Sequence, residues 1–302
     1  MGGMEANWQR NDFCIADHRV SIFFRTGQPN SMALLPSYTP FRVDDDGSEC
    51  VMQMVVDDTL PPVDKGRRTR IRAFDTGNGD TVVDRLDDGG YQFIIKDLHK
   101  RPCCLLIADE AFAHCRCALN GDGAMRAFGL SSAMMLAYAF ATGSRQTLLV
   151  HASLVRHRGK GYAFVAKSGT GKSTQVAMWM RCIPDCDLMN DDNPVVRLID
   201  GRAYIYGSPW SGKTPCYRQV KAPLGAVTQI DRAKENAVER MSPLQSLAIL
   251  MPSCSSMKWD ATLHDHICDT MSQLIGAVPI YTLHCLPNEE AAKVCSKAIV
   301  SE

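Results

Sequence analysis

The chain has 302 residues, 45% of them hydrophobic and 22% charged, with 33 Lys and Arg against 33 Asp and Glu. That composition is ordinary for a folded chain of about two domains, and the zero net charge excludes global steering toward nucleic acid or an anionic membrane. No stretch of about 18 apolar residues is present, so no transmembrane helix is expected; residues 1–10 are polar and lack a secretory apolar core, so a cytoplasmic location is the expectation.

Residues 12–120 read as β-rich. Apolar or alternating runs recur at Val20-Ser21-Ile22-Phe23-Phe24, Cys50-Val51-Met52-Gln53-Met54-Val55-Val56, Tyr91-Gln92-Phe93-Ile94-Ile95 and Cys104-Leu105-Leu106-Ile107-Ala108. Between them lie the turn signals Asp44-Asp45-Asp46-Gly47, Gly77-Asn78-Gly79-Asp80 and Asp87-Asp88-Gly89-Gly90. Strand runs broken in this way predict a mainly antiparallel sheet. Pro61 to Gly66 reads as an exposed loop, and Arg67, Arg68, Arg70 and Arg72 as a solvated strand face or loop. The character changes near Gly121-Asp122-Gly123, which sets the expected division: a β-rich domain over 1–120 and a second domain over 121–302. A long helix is predicted over 124–141, apolar on much of its circumference and therefore buried, with Gly143 as its stop.

A strand over 147–150 runs into His151, and a hairpin turn near Arg158-Gly159 leads to the apolar run Tyr162-Ala163-Phe164-Val165. Ala166-Lys167-Ser168-Gly169-Thr170-Gly171-Lys172-Ser173 follows, and then a helical pattern with Val176, Met180 and Ile183 on one face. Strand, small-residue loop and helix is the arrangement that aims backbone N–H groups and a helix N-terminus at a phosphate. In that setting Lys172 reaches the β- and γ-phosphates and the Ser173 hydroxyl holds Mg²⁺. The candidate nucleotide contacts are Ser168, Gly169, Thr170, Gly171, Lys172, Ser173 and Thr174. The full pattern G-x-x-x-x-G-K-[ST] is met elsewhere, at Gly207-Ser208-Pro209-Trp210-Ser211-Gly212-Lys213-Thr214. Pro209 removes a donor there, Trp210 is bulky, and Pro215 replaces the helix. The first loop is therefore the expected phosphate cradle, although Ala166 stands in for its first glycine.

Phosphoryl transfer also needs carboxylates near the metal, a base and cations. Asn190-Asp191-Asp192 ends the strand expected after the loop helix, where one carboxylate would bind Mg²⁺ and the other accept a proton. Lys213 and Arg218 are the candidate cations, with the 207–210 loop carrying Lys213 toward the phosphates. His151 would contact phosphate or assist the base. His264-x-His266-x-Cys268 would place metal-ligand types on one face of a strand, but no fourth partner stands at suitable spacing. The thirteen cysteines are scattered and read as small buried hydrophobes in a reducing compartment. A strand over 280–283 and a helix starting at Asn288, with Glu289 and Glu290 in its first turn, close the chain.

A histidine before the strand, then S-G-T-G-K-S-T, N-D-D and G-S-P-W-S-G-K, is an order that resembles HPr-kinase/phosphorylase-type kinases of the phosphoenolpyruvate-carboxykinase-like P-loop superfamily. The resemblance covers 148–223 and is best to HPr kinase-related bacterial proteins. It implies an α/β (α+β) fold: a mixed-sheet P-loop kinase domain preceded by the β-rich N-terminal domain. It also implies ATP with Mg²⁺, frequent homo-oligomers, and a metal-associated and catalytic aspartate pair at Asp191 and Asp192. Asp191 is then the expected base, with Lys172, His151 and Lys213 also catalytic, and Ser173 and Asp192 the metal ligands. Thr174 stands where the family usually has Glu, and no later signature loop matches, which speaks against HPr itself as acceptor. The expected reaction is transfer of the γ-phosphoryl group to a hydroxyl of a small molecule or of a peptide or protein serine. The alternatives are a non-catalytic nucleotide-binding regulatory module and a carboxykinase-like lyase.

Overall fold

The computed structural model describes residues 7–75, 79–167, 169–212 and 214–300. The chain forms two compact units, 1–142 and 143–302.

In the first unit the strands are β1 (Trp8–Ile15), β2 (His18–Arg25), β3 (Arg42–Val43), β4 (Met52–Val56), β5 (Arg68–Asp75), β6 (Asp80–Leu86), β7 (Tyr91–Lys96), β8 (Pro102–Ala108) and β9 (His114–Leu119), followed by helix α1 (Gly123–Ala141). The sheet order is β3-β1-β2-β4-β9-β8-β7-β6-β5. β2 pairs with β4, and β4 with β9, in parallel; the other pairings are antiparallel. The sheet expected to be mainly antiparallel is thus mixed at its centre. The β1–β2 turn, Ala16-Asp17, has both residues at positive φ, 49° and 58°, the twist that suits a tight hairpin. Gly77 and Asn78, in another of the expected turns, lie outside the described residues. Arg68 and Arg70 lie on the edge strand β5, and both donate to Asp84, which is 2% exposed. Part of the arginine cluster is therefore spent on a buried carboxylate.

α1 begins where Asp122 accepts from Met125 N. It packs on β8 and β9, close enough that a Cβ on Gly129 would meet Cys103 O at 2.9 Å. Because α1 buries its apolar surface on this sheet, it belongs to the first unit, and the division comes after Thr142 rather than after residue 120. Among the described residues, α1 is the one helix long and apolar enough to cross a membrane, and half of its most apolar window is buried.

The second unit comprises β10 (Thr147–Leu149), β11 (Ala152–His157), β12 (Lys160–Val165), α2 (Lys172–Cys182), β13 (Cys186–Asp192), β14 (Val195–Ile199), β15 (Arg202–Tyr206), β16 (Lys221–Arg232), β17 (Ala237–Arg240), α3 (Pro243–Leu250), α4 (Ala261–Ala277), β18 (Ile280–Cys285) and α5 (Glu289–Ile299). The order β10-β14-β15-β16-β12-β11-β13, with β18 on β16 and β17 on β18, is a mixed sheet. Residues alternate between its two faces as the strand period requires. Leu154, Ala163, Val165 and Val227 join Ile249, Ile267 and Met271 of α3 and α4. Val155, Tyr162, Phe164 and Ala226 join Val176 and Trp179 of α2 and Ala292 and Cys295 of α5.

The buried face of α2 is only in part the expected one. Val176 faces inward as expected, but Met180 is 40% exposed and Ile183 lies beyond the helix end. Gln175 and Trp179 face inward with Val176. Trp179 is fully buried, with ring centroids 5.5 Å from both Tyr162 and Phe164; the indole offers more apolar area than methionine and sets the rotation of the helix. The hairpin before the loop turns through Arg158 and Gly159, both at positive φ.

His264, His266 and Cys268 lie on α4 rather than on a strand. Helical spacing puts His264 against Cys268 at 3.7 Å and turns His266 off that face. Among the described residues no group of three His, Cys, Asp or Glu is arranged to hold a metal. All thirteen cysteines are free thiols, and burial pushes that of Cys254 up to about 12.

Candidate active site at the loop between β12 and α2

β12, β16 and β18 are parallel, so their C-terminal ends share one edge of the sheet. The loop 166–171 leaves β12 at that edge and delivers α2. Gly169 and Gly171 hold φ of 76° and 132°, conformations that glycine adopts without strain. The helices α1, α4 and α5 are capped by the side chains of Asp122, Asp260 and Asn288. α2 starts at Gly171 with no side-chain cap, leaving first-turn N–H groups to meet an anion. Thr170 N donates to Lys167 O at 3.1 Å. Arg232 braces the loop from β16, its Nε donating to Thr170 O at 3.0 Å and its Nη2 to Gly169 O at 2.6 Å. Ser173 and Thr174 are exposed beside it. Ser168 and Lys213 lie outside the described residues.

Lys172 and His151 meet although 21 residues apart, with Nζ 2.8 Å from Nε2. An ammonium only donates, so Nε2 is the acceptor and the imidazole proton sits on Nδ1. That nitrogen lies 3.1 Å from Asp192 Oδ1. The result is a continuous chain from Lys172 through His151 to Asp192. Burial outweighs the neighbouring Asp192 and Asp191 and holds the Lys172 ammonium below its usual pKa. His151 does not end a strand beside β12, as expected; it occupies the break between β10 and β11, next to the start of the loop because Ala152 pairs with Val165.

Asp191 is 4% exposed and fully engaged. Ser153 Oγ donates to its Oδ1 at 2.7 Å, Ser173 Oγ to the same atom at 3.4 Å, and Thr214 N to Oδ2 at 3.1 Å. Ser153 is 1% exposed and faces Asp191 across the β11–β13 pair. Nothing in the local sequence marks it, because its partner lies 38 residues away. Asp192 has φ of 143°, a strained backbone for a residue with a Cβ, and Asn193 Nδ2 donates to its Oδ2 at 2.5 Å.

Among the described residues of 207–214 no helix forms. The segment is fastened over the end of β13 instead. Asn190 Nδ2 donates to Ser208 Oγ at 3.2 Å and to Trp210 O at 3.3 Å. Ser211 Oγ donates to Asp191 O at 3.1 Å, Gly212 N donates to the same oxygen, and Ser211 bridges to Asp192. Trp210 is 4% exposed and anchors the turn. Arg218 is elsewhere: its Nη1 donates to Asp187 Oδ2 at 2.7 Å, four positions back along β13 and therefore about 13 Å from Asp191. Burial would raise the Asp187 carboxyl, but Arg156 and Arg218 hold it below the usual range.

The oxygens of Ser173, Asp191 and Asp192 are the hard donors a small divalent cation takes. The separation of Ser173 Oγ and Asp191 Oδ1, 3.4 Å, is close to that of adjacent ligands in a 2.0–2.1 Å octahedron, about 3 Å. The donor set fits Mg²⁺.

No protein-family model matches the chain, and no curated protein matches it. Among solved structures it is similar to the HPr(Ser) kinase/phosphatase from Coxiella burnetii, at a TM-score of 0.30 and 8% identity, over 51% of this chain and 93% of that one.

Proposed function

We propose that the second unit is a phosphotransferase that binds a nucleoside triphosphate with Mg²⁺ at 166–174 and passes the γ-phosphoryl group to a hydroxyl of a small molecule or of a peptide or protein serine. The observation that carries this reading is the convergence of Lys172, Ser173, Asp191, Asp192 and His151 beside an uncapped helix N-terminus. Loop N–H groups and Lys172 would hold the phosphates, and in doing so Lys172 would leave His151. The freed Nε2 lone pair would then be available to take the acceptor's hydroxyl proton, with Asp192 holding the imidazole tautomer. Ser173 and Asp191 would hold Mg²⁺, which when bound neutralises developing phosphate charge. Ser153 and Thr214 N position that carboxylate.

The division of roles differs from the sequence expectation, which gave Asp191 the proton and Asp192 the metal. Ser173 lies beside Asp191 and Asp192 beside His151, so in this reading Asp191 would take the metal and His151, oriented by Asp192, the proton. The test is an ATP-consumption assay over a panel of hydroxyl acceptors, with Mg²⁺ titrated. Asp191→Asn should raise the Mg²⁺ needed for half-maximal rate. Asp192→Asn and His151→Ala should lower kcat at an unchanged Mg²⁺ requirement. The opposite pattern would restore the sequence assignment; a rate indifferent to all three variants would end the phosphotransferase reading.

A further inference from the structure

A cavity of about 390 Å³ opens beside the loop, where β16 and β18 end. Gly171, Thr174, Gln175, Ile230, Arg232 and Leu286 line it. Its volume lies in the range of small-molecule sites. It is continuous with the phosphate loop through Gly169, Thr170 and Gly171. Two of its features are not those of a phosphate site. Ile230 and Leu286 give it apolar wall, and Leu286 stays 39% exposed at its rim. Gln175 is 4% exposed, and its Nε2 has no hydrogen-bond partner among the described residues. A buried amide donor left unpaired is destabilising, so this position is explained best by an acceptor that arrives with a ligand.

We infer that this cavity receives the base and sugar of the donor nucleotide, and that Gln175 reads the base by donating from Nε2 to one of its acceptor atoms. The inference rests on the phosphate-loop reading and deepens it: the donor is a nucleoside triphosphate and not inorganic pyrophosphate or polyphosphate. Bare phosphate chains have no apolar surface to lay on Ile230 and Leu286. A planar base supplies both an apolar face and an in-plane acceptor.

The experiment is calorimetric titration of the full chain with ATP and with inorganic tripolyphosphate, each with Mg²⁺, for the wild type, Gln175→Leu, Leu286→Glu and Lys172→Ala. The wild type should bind ATP about tenfold or more tighter than tripolyphosphate. Gln175→Leu should weaken ATP by roughly three- to tenfold, the range of one hydrogen bond. It should leave tripolyphosphate unchanged and melt no lower than wild type, because it removes an unpaired buried donor. Leu286→Glu should weaken ATP selectively. Equal affinity for the two ligands, both lost in Lys172→Ala, would overturn the base pocket and leave the phosphate loop standing. Gln175→Leu weakening both ligands alike would also overturn it, by placing Gln175 in support of the loop. Binding of neither ligand would overturn both readings.

Discussion

Ser153→Ala tests whether the Asp191 side chain is held in place by its buried hydrogen bond from Ser153. Ser153 supplies its shortest hydrogen bond, 2.7 Å to Oδ1, and both residues are buried, at 1% and 4% exposure. The remaining donors are Thr214 N at 3.1 Å on Oδ2 and Ser173 Oγ at 3.4 Å on Oδ1. The longer one cannot replace the lost bond without moving the start of α2. A hydrogen bond to a charged group is worth about 1.5–3 kcal/mol, and the missing hydroxyl is too small to add a large cavity penalty. A loss of about 2 kcal/mol in a unit of this size lowers Tm by roughly 4–8 °C. Thermal unfolding of Ser153→Ala, Asp191→Asn and the double variant measures both the loss and its origin. The two positions should be coupled by about 1 kcal/mol or more. A Tm equal to wild type, with effects additive within about 0.5 kcal/mol, would refute it.

Two further predictions concern residues outside the phosphate loop. Arg218→Ala should leave ATP affinity unchanged and lower Tm by under about 4 °C, since the half-exposed pair with Asp187 is worth about 1 kcal/mol or less; a tenfold affinity loss, about 1.4 kcal/mol, would return Arg218 to the phosphates. In the first unit, burial pushes the Asp57 carboxyl up, but the N–H and hydroxyl of Thr59, the Gln28 amide and the Arg25 guanidinium outweigh it, so its pKa falls from 3.8 to about 2. A depressed folded-state pKa stabilises fully above the unfolded value and ceases to do so as pH drops through the folded one. Acid unfolding between about pH 4 and pH 2 should therefore be shallower in Asp57→Asn than in wild type, and superimposable curves would contradict this.

Local signals in the sequence carried the elements whose cause is local. The Asn288 cap with its acidic first turn, the strand before residue 166 and the glycines of the loop each depend on a few consecutive residues, and each has its counterpart in the structure. What depends on distant pairing was not legible. The centre of the first sheet is parallel because β4 inserts between β2 and β9, and no turn signal encodes that. α1 read as the opening of the second domain because its neighbours in sequence lie there, yet its buried stripe belongs to β8 and β9. At the site, the residue types were legible but their partners were not. Asp191 and Asp192 are adjacent, but Asp191 meets Ser153 and Ser173 while Asp192 meets His151, partners that no local pattern names. The 207–214 segment carries a phosphate-loop pattern, but its glycine serves a close approach: a Cβ on Gly212 would stand 3.1 Å from Asp191 O.

The loop 166–173, through Lys172, is proposed to bind the phosphates of a nucleotide. Calorimetric titration of the full chain with ATP and Mg²⁺, beside Lys172→Ala and Lys213→Ala, tests it most directly. The wild type should give a saturable heat that disappears in Lys172→Ala. Binding that survives Lys172→Ala but is lost in Lys213→Ala would contradict it and move the phosphate site to the 207–214 segment.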